Sequence, residues 1–350
     1  MLNNIKSWVV YWKDLKKIYK YSKDNNFAIP AINVVWTSSI NAALQAAKEM
    51  NLPIIIQFSS GGWKFLWWKW LNTLDSQILW TVVWALHVHT LAEKMWVIVI
   101  LHTDHANKKS LPWIDWLLLE NEKFYIKEGR PLFSSHMLDL STESLIDNIK
   151  ISKEYFEKFN KLEMWLEIEI WITWWEEEWA DSTTDKTKMY TSPEELYYAY
   201  SELLKIWDNF TIAAMFWNVH GVYKSGNVEL KPVILNDAQK YIQNKLNTKK
   251  NPVDFVFHGW SWSEKEKIKE SISYWVVKMN VDTDTQWAFW DWVNDYIKNN
   301  DGYMKWQIWN PEWKDLPNKW YYDPWKWLAG WEENMKNRII QSFNDLNCKS

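Results

Sequence analysis

Asp254-Phe255-Val256-Phe257-His258-Gly259-Trp260-Ser261-Trp262-Ser263, and then Val276-Val277-Lys278-Met279-Asn280-Val281-Asp282-Thr283-Asp284-Thr285, set the architecture of this 350-residue chain. Each stretch is a short apolar run that breaks into polar residues and gives way to a helical pattern, over Ser263–Ser271 and Thr285–Ile297. Working outward, the same alternation recurs. Further strands are expected at Ala28–Val34, Pro53–Phe58, Val97–His102, Leu132–Met137, Met164–Ile170 and Thr211–Phe216. Helices are expected at Ser38–Met50, Ser76–Lys94, Ser141–Phe159 and Ser192–Lys205, with Lys231–Lys245 as an extra one. Strands rich in Ile, Val and Phe with helices between them read as βαβ units on a parallel sheet. Eight such units predict an α/β fold of the (β/α)8 TIM-barrel type. One domain is expected over 1–350, with the barrel at about 25–300 and a helical appendage at 301–350.

Composition narrows the partners. Forty basic and 44 acidic residues leave a formal charge of −4, which provides no general attraction to nucleic acid or to an anionic membrane. The single Cys348 excludes an internal disulfide framework and fits a reducing cytoplasm. Met1 to Lys6 lacks a signal pattern, and Trp96 to Leu101 is too short to span a bilayer, so a cytoplasmic protein is expected.

The tryptophans are anomalous. There are 32 of them and only eight glycines, together about 11% of the chain, against an ordinary glycine share of roughly 7%. They stand where tight loops need glycine: Trp174-Trp175 before Glu176-Glu177, Trp217 before Asn218-Val219-His220, and Trp260 and Trp262 among serines. We read most of them as glycines of the living protein, encoded by a UGA codon that standard translation renders as tryptophan.

Three of the seven histidines are expected just beyond strand ends: His105, His220 and His258. In a barrel the carboxyl ends of the strands share one mouth, so these imidazoles can converge there and suit Zn²⁺ with a position left for substrate. His87 and His89 lie in a helical pattern and His136 in a strand, and all three read as packing residues. Asp104 adjoins His105, Glu167 and Glu169 share one strand face, and Glu176-Glu177-Glu178 lies in a long acidic loop able to close over substrate. The run from His258 to Ser263 becomes His-Gly-Gly-Ser-Gly-Ser once corrected, a cradle of backbone N–H groups for phosphate; Asn280 to Thr285 opens the next helix in a similar way.

On these residues the chain resembles the class II, zinc-dependent fructose-bisphosphate aldolases, in the longer of their two subgroups. The resemblance is carried by Phe27-Ala28-Ile29-Pro30-Ala31-Ile32-Asn33, Gln57-Phe58-Ser59-Ser60-Gly61-Gly62, Leu101-His102-Thr103-Asp104-His105, Phe133-Ser134-Ser135-His136-Met137, Leu166-Glu167-Ile168-Glu169, Asn218-Val219-His220-Gly221-Val222-Tyr223-Lys224, Phe257-His258-Gly259 and Lys278-Met279-Asn280-Val281-Asp282-Thr283-Asp284-Thr285. The family pattern has glycine opposite Trp171, Trp174, Trp175, Trp217, Trp260, Trp262 and Trp275, and tryptophan opposite Trp113, Trp287, Trp290 and Trp327.

The resemblance implies cleavage of fructose 1,6-bisphosphate into dihydroxyacetone phosphate and glyceraldehyde 3-phosphate through a zinc-stabilised enediolate, and the reverse condensation. It implies His105, His220 and His258 as zinc ligands, and Glu169 as ligand of a second or alternative divalent ion. Asp104 would exchange a proton at the C4 oxygen, Glu177 would move the proton on the triose carbon, and Asn280 would orient the enediolate. Gly259, Ser261, Asp282 and Thr283 would cradle one phosphate, Gly221 and Lys224 would serve a monovalent cation (Na⁺ or K⁺) and phosphate, and Asn33 and Ser59 would face substrate. A homodimer is the family's common state. One departure stands out: where the family has arginine after Tyr-Tyr-Asp-Pro, this chain has Trp325, which leaves Lys326 as the candidate for the second phosphate. Tagatose-bisphosphate aldolase is the alternative within the same chemistry. A non-catalytic relative and a Trp-rich sugar-binding protein are the alternatives outside it.

Overall fold

The computed structural model describes residues 5, 8–62, 71–170, 190–214, 230–259 and 264–348. Eight parallel strands close into a barrel in sequence order: β1 (Ile29–Asn33), β2 (Ile54–Ser59), β3 (Val99–Ala106), β4 (Ser135–Asp139), β5 (Trp165–Glu169), β6 (Phe210–Ala213), β7 (Phe255–Phe257) and β8 (Val276–Val281). Closure is made by β1 and β8, where Ala31 pairs with Asn280. The strands are buried almost throughout, as their Ile, Val, Leu and Phe content requires of a parallel sheet covered on its outer face. The TIM-barrel fold expected from the alternation is therefore present.

Helices follow the strands around the outside: α1 (Trp12–Asp24), α2 (Thr37–Met50), α3 (Thr73–Met95), α4 (Leu111–Glu128), α5 (Leu145–Lys161), α6 (Pro193–Leu204), α7 (Val233–Leu246), α8 (Lys265–Ser273) and α9 (Thr283–Asn299). Local chemistry fixes their starts. Ser192 accepts from Glu195 N–H and Glu195 reaches back to Ser192, a reciprocal cap with Pro193 at the first helical position. The cap of α5 is Ser144, which accepts from Asp147 N–H; Ser141, expected to begin that helix, instead donates to Asp139 at 2.5 Å. Beyond the barrel come two short helices, α10 (Asp301–Met304) and α11 (Lys319–Tyr322), and the long α12 (Pro324–Asp345). The last one returns to the barrel wall, where Gln45 on α2 donates to Glu332, Asn334 donates to the Ala288 carbonyl on α9, and Arg338 pairs with Asp284.

Strand bounds shift by a residue or more everywhere but β8, and the shifts in β4 and β3 have a physical cause. β4 begins at Ser135 and not Leu132, because the Phe133 N–H donates to the Asn121 side chain instead of a ladder carbonyl. β3 runs on past His102 to Ala106, so His105 lies within a strand and not beyond its end. Thr103 and Asp104 stay in the ladder opposite Phe58 and Ser59 of β2, while the register against β4 shifts between Thr103 and Ala106. At that irregularity His105 takes φ 44°, a left-handed conformation that re-aims its side chain.

Of the three histidines assigned to packing, His89 and His136 are buried, while His87 is half-buried beside Asn41. His89 donates Nε2–H to the Leu132 carbonyl at 2.8 Å, and burial pushes it down to about 4. His136 lies between Thr103 Oγ1 (2.7 Å) and the Asn121 amide (3.2 Å), and burial pushes it down to about 3. A proton added to His136 Nε2 would face the Asn121 N–H group. In the unfolded chain both rings protonate near pH 6.5, so the unfolded state binds more protons below that value and stability falls as pH drops from about 6.5. At pH 5 each ring should cost about 2 kcal/mol relative to pH 8. Melting curves of the wild type and His136→Gln from pH 8 to 5 check this: the variant should show the shallower decline, and equal slopes would refute the assignment.

Candidate active site

The polar side chains of the lumen gather at or just below the carboxyl ends of the strands, the face on which barrels build their sites. Alternation decides which residues turn inward. Asn33 ends β1, Asp104 and His105 end β3, Asp139 ends β4, Glu167 and Glu169 share a face of β5, His258 follows β7, and Lys278 and Asn280 share a face of β8.

At the centre, His105 Nε2 and His258 Nδ1 approach to 3.0 Å with their rings nearly perpendicular. Asp104 Oδ1 is 3.8 Å from His105 Nε2. On its other side, His105 Nδ1 faces Asp139 at 3.2 Å and Glu169 at 3.4 Å. Ligand atoms of Asp104, His105 and His258 all lie within 4.8 Å of one another, as do those of His105, Asp139 and Glu169. Two converging imidazoles edged by carboxylates are a donor set that could hold a metal ion.

Asp104 is held from two sides. Asn33 Nδ2 donates to one of its oxygens at 2.9 Å, and Asn280 Nδ2 to the other at 3.2 Å. Asn280 Nδ2 also lies 2.9 Å from His258 Nδ1, and the Gln57 side chain donates to Asn33 Oδ1. Burial pushes the Asp104 carboxyl up, but His105, Lys278 and His258 together with the Asn33 bond outweigh it and hold Asp104 below its usual range. Burial alone would lower His105; Asp104, Asp139 and Glu169 raise it well above the ordinary imidazole range. Asp139 drops to about 2, because its bond to His105 more than offsets burial.

Of the remaining expected residues, Ser59 pairs in register with Asp104, which sets it at the same mouth. Gly259 has φ 85°, a conformation that glycine alone adopts without strain. Asp282 and Thr283 form the entry to α9, where Gln286 donates to Asp282 at 2.7 Å and burial raises the Asp282 carboxyl to about 6. Lys326 is at the start of α12, its ammonium 3.3 Å from the centroid of the Trp320 ring and 4.6 Å from that of Trp325. Glu177, His220, Gly221, Lys224 and Ser261 lie outside the described residues. The sequence reading missed Asp139, Gln57 and Lys278. Asp139 stands two residues beyond the expected end of its strand, and Lys278 two before Asn280, so parity with known site positions was the available signal.

The family model for class II fructose-bisphosphate aldolases matches residues 13–350. The chain belongs to the class II fructose-bisphosphate aldolase family. Among its relatives, a fructose-bisphosphate aldolase of Campylobacter jejuni is 52% identical over 351 residues, covering 99% of this chain and 98% of that protein. The class 2 enzyme of Escherichia coli K12 is 50% identical over 348 residues, covering 98% and 97%. A crystal structure of a Campylobacter jejuni fructose-bisphosphate aldolase superposes with a TM-score of 0.91 at 50% identity, covering 99% of this chain and 98% of that one.

Proposed function

We propose that this chain catalyses the reversible aldol cleavage of fructose 1,6-bisphosphate into dihydroxyacetone phosphate and glyceraldehyde 3-phosphate, with zinc held by His105, His220 and His258. The observation that carries this reading is the meeting of His105 and His258 nitrogens at 3.0 Å beside a buried Asp104, in a chain matched to the family almost end to end. A divalent ion at that point supplies Lewis-acid polarisation of the ketone oxygen. Asp104, fixed by Asn33 and Asn280, exchanges the proton of the C4 hydroxyl as the C3–C4 bond breaks or forms. Asn280, held between Asp104 and His258, orients the oxygens of the triose portion. Glu177 moves the proton on the triose carbon.

Glu169, with Asp139 beside it on His105, is the ligand for a second or alternative divalent ion. One phosphate is taken by Gly259, Ser261, Asp282 and Thr283, where the left-handed Gly259 and the N-terminus of α9 present backbone N–H groups. Gly221 and Lys224 serve the monovalent cation, Asn33 and Ser59 the substrate face, and Lys326 the second phosphate. We assign the protein to the longer subgroup, as a cytoplasmic homodimer. Among the described residues no helix is long and apolar enough to cross a membrane.

Cleavage of fructose 1,6-bisphosphate, assayed beside its tagatose epimer, should stop with a chelator and return with Zn²⁺; cleavage indifferent to chelation would remove the metal mechanism. Asp104→Asn should retain the fold and lower kcat by about 10²- to 10⁴-fold, the range for losing a positioned acid–base group. A variant within a factor of three of the wild type would reassign that role.

The same reading includes the tryptophans. Trp12, Trp96, Trp275 and Trp309 take φ of 38°, 59°, 72° and 99°. The left-handed region costs a bulky side chain about 1–3 kcal/mol, and glycine almost nothing. Five of the other left-handed residues are asparagines, the type that best tolerates it after glycine: Asn26, Asn51, Asn247, Asn251 and Asn347. Trp113, by contrast, is buried and donates Nε1–H to Thr81, as a true indole would. We infer that Trp275 and most of the loop tryptophans are glycine in the cell. The tryptic peptide Glu270–Lys278 of the native protein should carry a glycine-sized residue at 275, and an indole-sized mass there would end the recoding idea.

A further inference from the structure

Beneath the imidazole pair, the lumen holds an ion pair where barrels ordinarily stack Val, Ile and Leu. Lys278 on β8 is buried, and its ammonium crosses to β5 to bond both oxygens of Glu167, at 2.8 and 2.7 Å. Glu167 Oε1 also accepts from His258 Nε2 at 3.0 Å. Its other oxygen lies 3.6 Å from His102 Nε2, and His102 is itself tied to Ser135 Oγ at 2.7 Å.

A carboxylate only accepts, so the proton of His258 sits on Nε2 and its Nδ1 lone pair is directed up toward His105 Nε2. Lys278 supplies the constraint that this arrangement needs. With both oxygens fixed by one ammonium, Glu167 has no rotation left that would release His258. Stability alone does not call for the pair, because desolvating two charges in a core generally makes them no better than a well-packed apolar pair.

We propose that Lys278 and Glu167 are positioning residues for the metal centre: Lys278 immobilises Glu167, and Glu167 sets the tautomer and aim of His258. This rests on the proposed metal role of His258. A carboxylate that orients a ligand imidazole typically contributes 10- to 100-fold in metal affinity.

The test is Co²⁺ titration of chelator-stripped protein, followed by the visible ligand-field absorption, with melting temperature measured in parallel. Lys278→Met and Glu167→Gln should each bind Co²⁺ about 10- to 100-fold more weakly, with a shifted ligand-field band. The double variant Glu167→Leu/Lys278→Met leaves no buried charge unpaired. It removes the acceptor of the His258 N–H as well, so it should melt no more than modestly below the wild-type temperature and still bind Co²⁺ weakly. Recovery of wild-type affinity in the double variant would make the pair purely structural and overturn the proposal. If the double variant does not fold, Glu167→Gln decides alone, since it keeps volume and a bond to Lys278; unchanged affinity there overturns the proposal as well. A wild-type protein that takes up no Co²⁺ would instead overturn the metal reading of the site itself.

Discussion

Two imidazole nitrogens at 3.0 Å repel unless something positive lies between them, whether one proton or one shared cation. That constraint organises the mouth of this barrel. Asp104, Asp139, Glu167 and Glu169 are all buried around the pair. Lys278 neutralises one of them, and the remaining carboxylates leave the pocket electronegative. Such a pocket takes up a multivalent cation readily and an anionic sugar phosphate poorly. A divalent ion at the imidazoles, where the proposed function sets it, would offset part of that negative charge beside the substrate's oxygens. The asparagines share the same economy: Asn33 and Asn280 satisfy both Asp104 oxygens without adding charge.

The barrel geometry makes this convergence possible. Glu167 and Lys278 are 111 residues apart in sequence, yet each lies two residues before a site residue on its own strand, Glu169 and Asn280. Because side chains alternate, residues two apart on a strand point the same way, in successive layers of the lumen. On the proposed reading, the upper layer would carry substrate chemistry and the layer beneath it orientation. The local irregularity in β3 serves the same end. A regular strand through Thr103–Ala106 would alternate Asp104 and His105 to opposite faces, whereas the left-handed turn at His105 lets adjacent residues serve one centre.

How much of this was legible in the sequence follows from what each level of structure depends on. The strand order and the helices depend on runs and periods of apolar residues, which stand in the chain for anyone to read; Val276–Val281 was placed to the residue. The strand-end rule brought His105, His220 and His258 together with Asp104 beside them, and His105, His258 and Asp104 do meet while His220 lies outside the described residues; Glu169 and Asn280 came from the family resemblance. The extent of β3 was not, because Thr103, Asp104 and His105 look like a loop until lumen partners satisfy them. Asp139, Gln57 and Lys278 were hidden for the same reason. A buried polar residue announces its role only when its partner is known, and these partners come from distant strands.

The tryptophan anomaly explains why the fold survives a letter that its loops do not suit. Among the described strands, Trp165 at the first position of β5 is the sole tryptophan. Glycine is scarce in strands because it offers no side chain to a packed sheet and loses the most entropy on ordering. A substitution confined to glycine positions, as we propose for most of these tryptophans, would therefore spare the ladder. Its burden falls on turns and helix ends such as Trp96 after α3 and Trp275 after α8, where a left-handed residue must end the helix. The barrel needs the apolar alphabet alone, whereas loops that approach a ligand need glycine, and so on the recoding proposal architecture and activity would respond differently to the same change of letter.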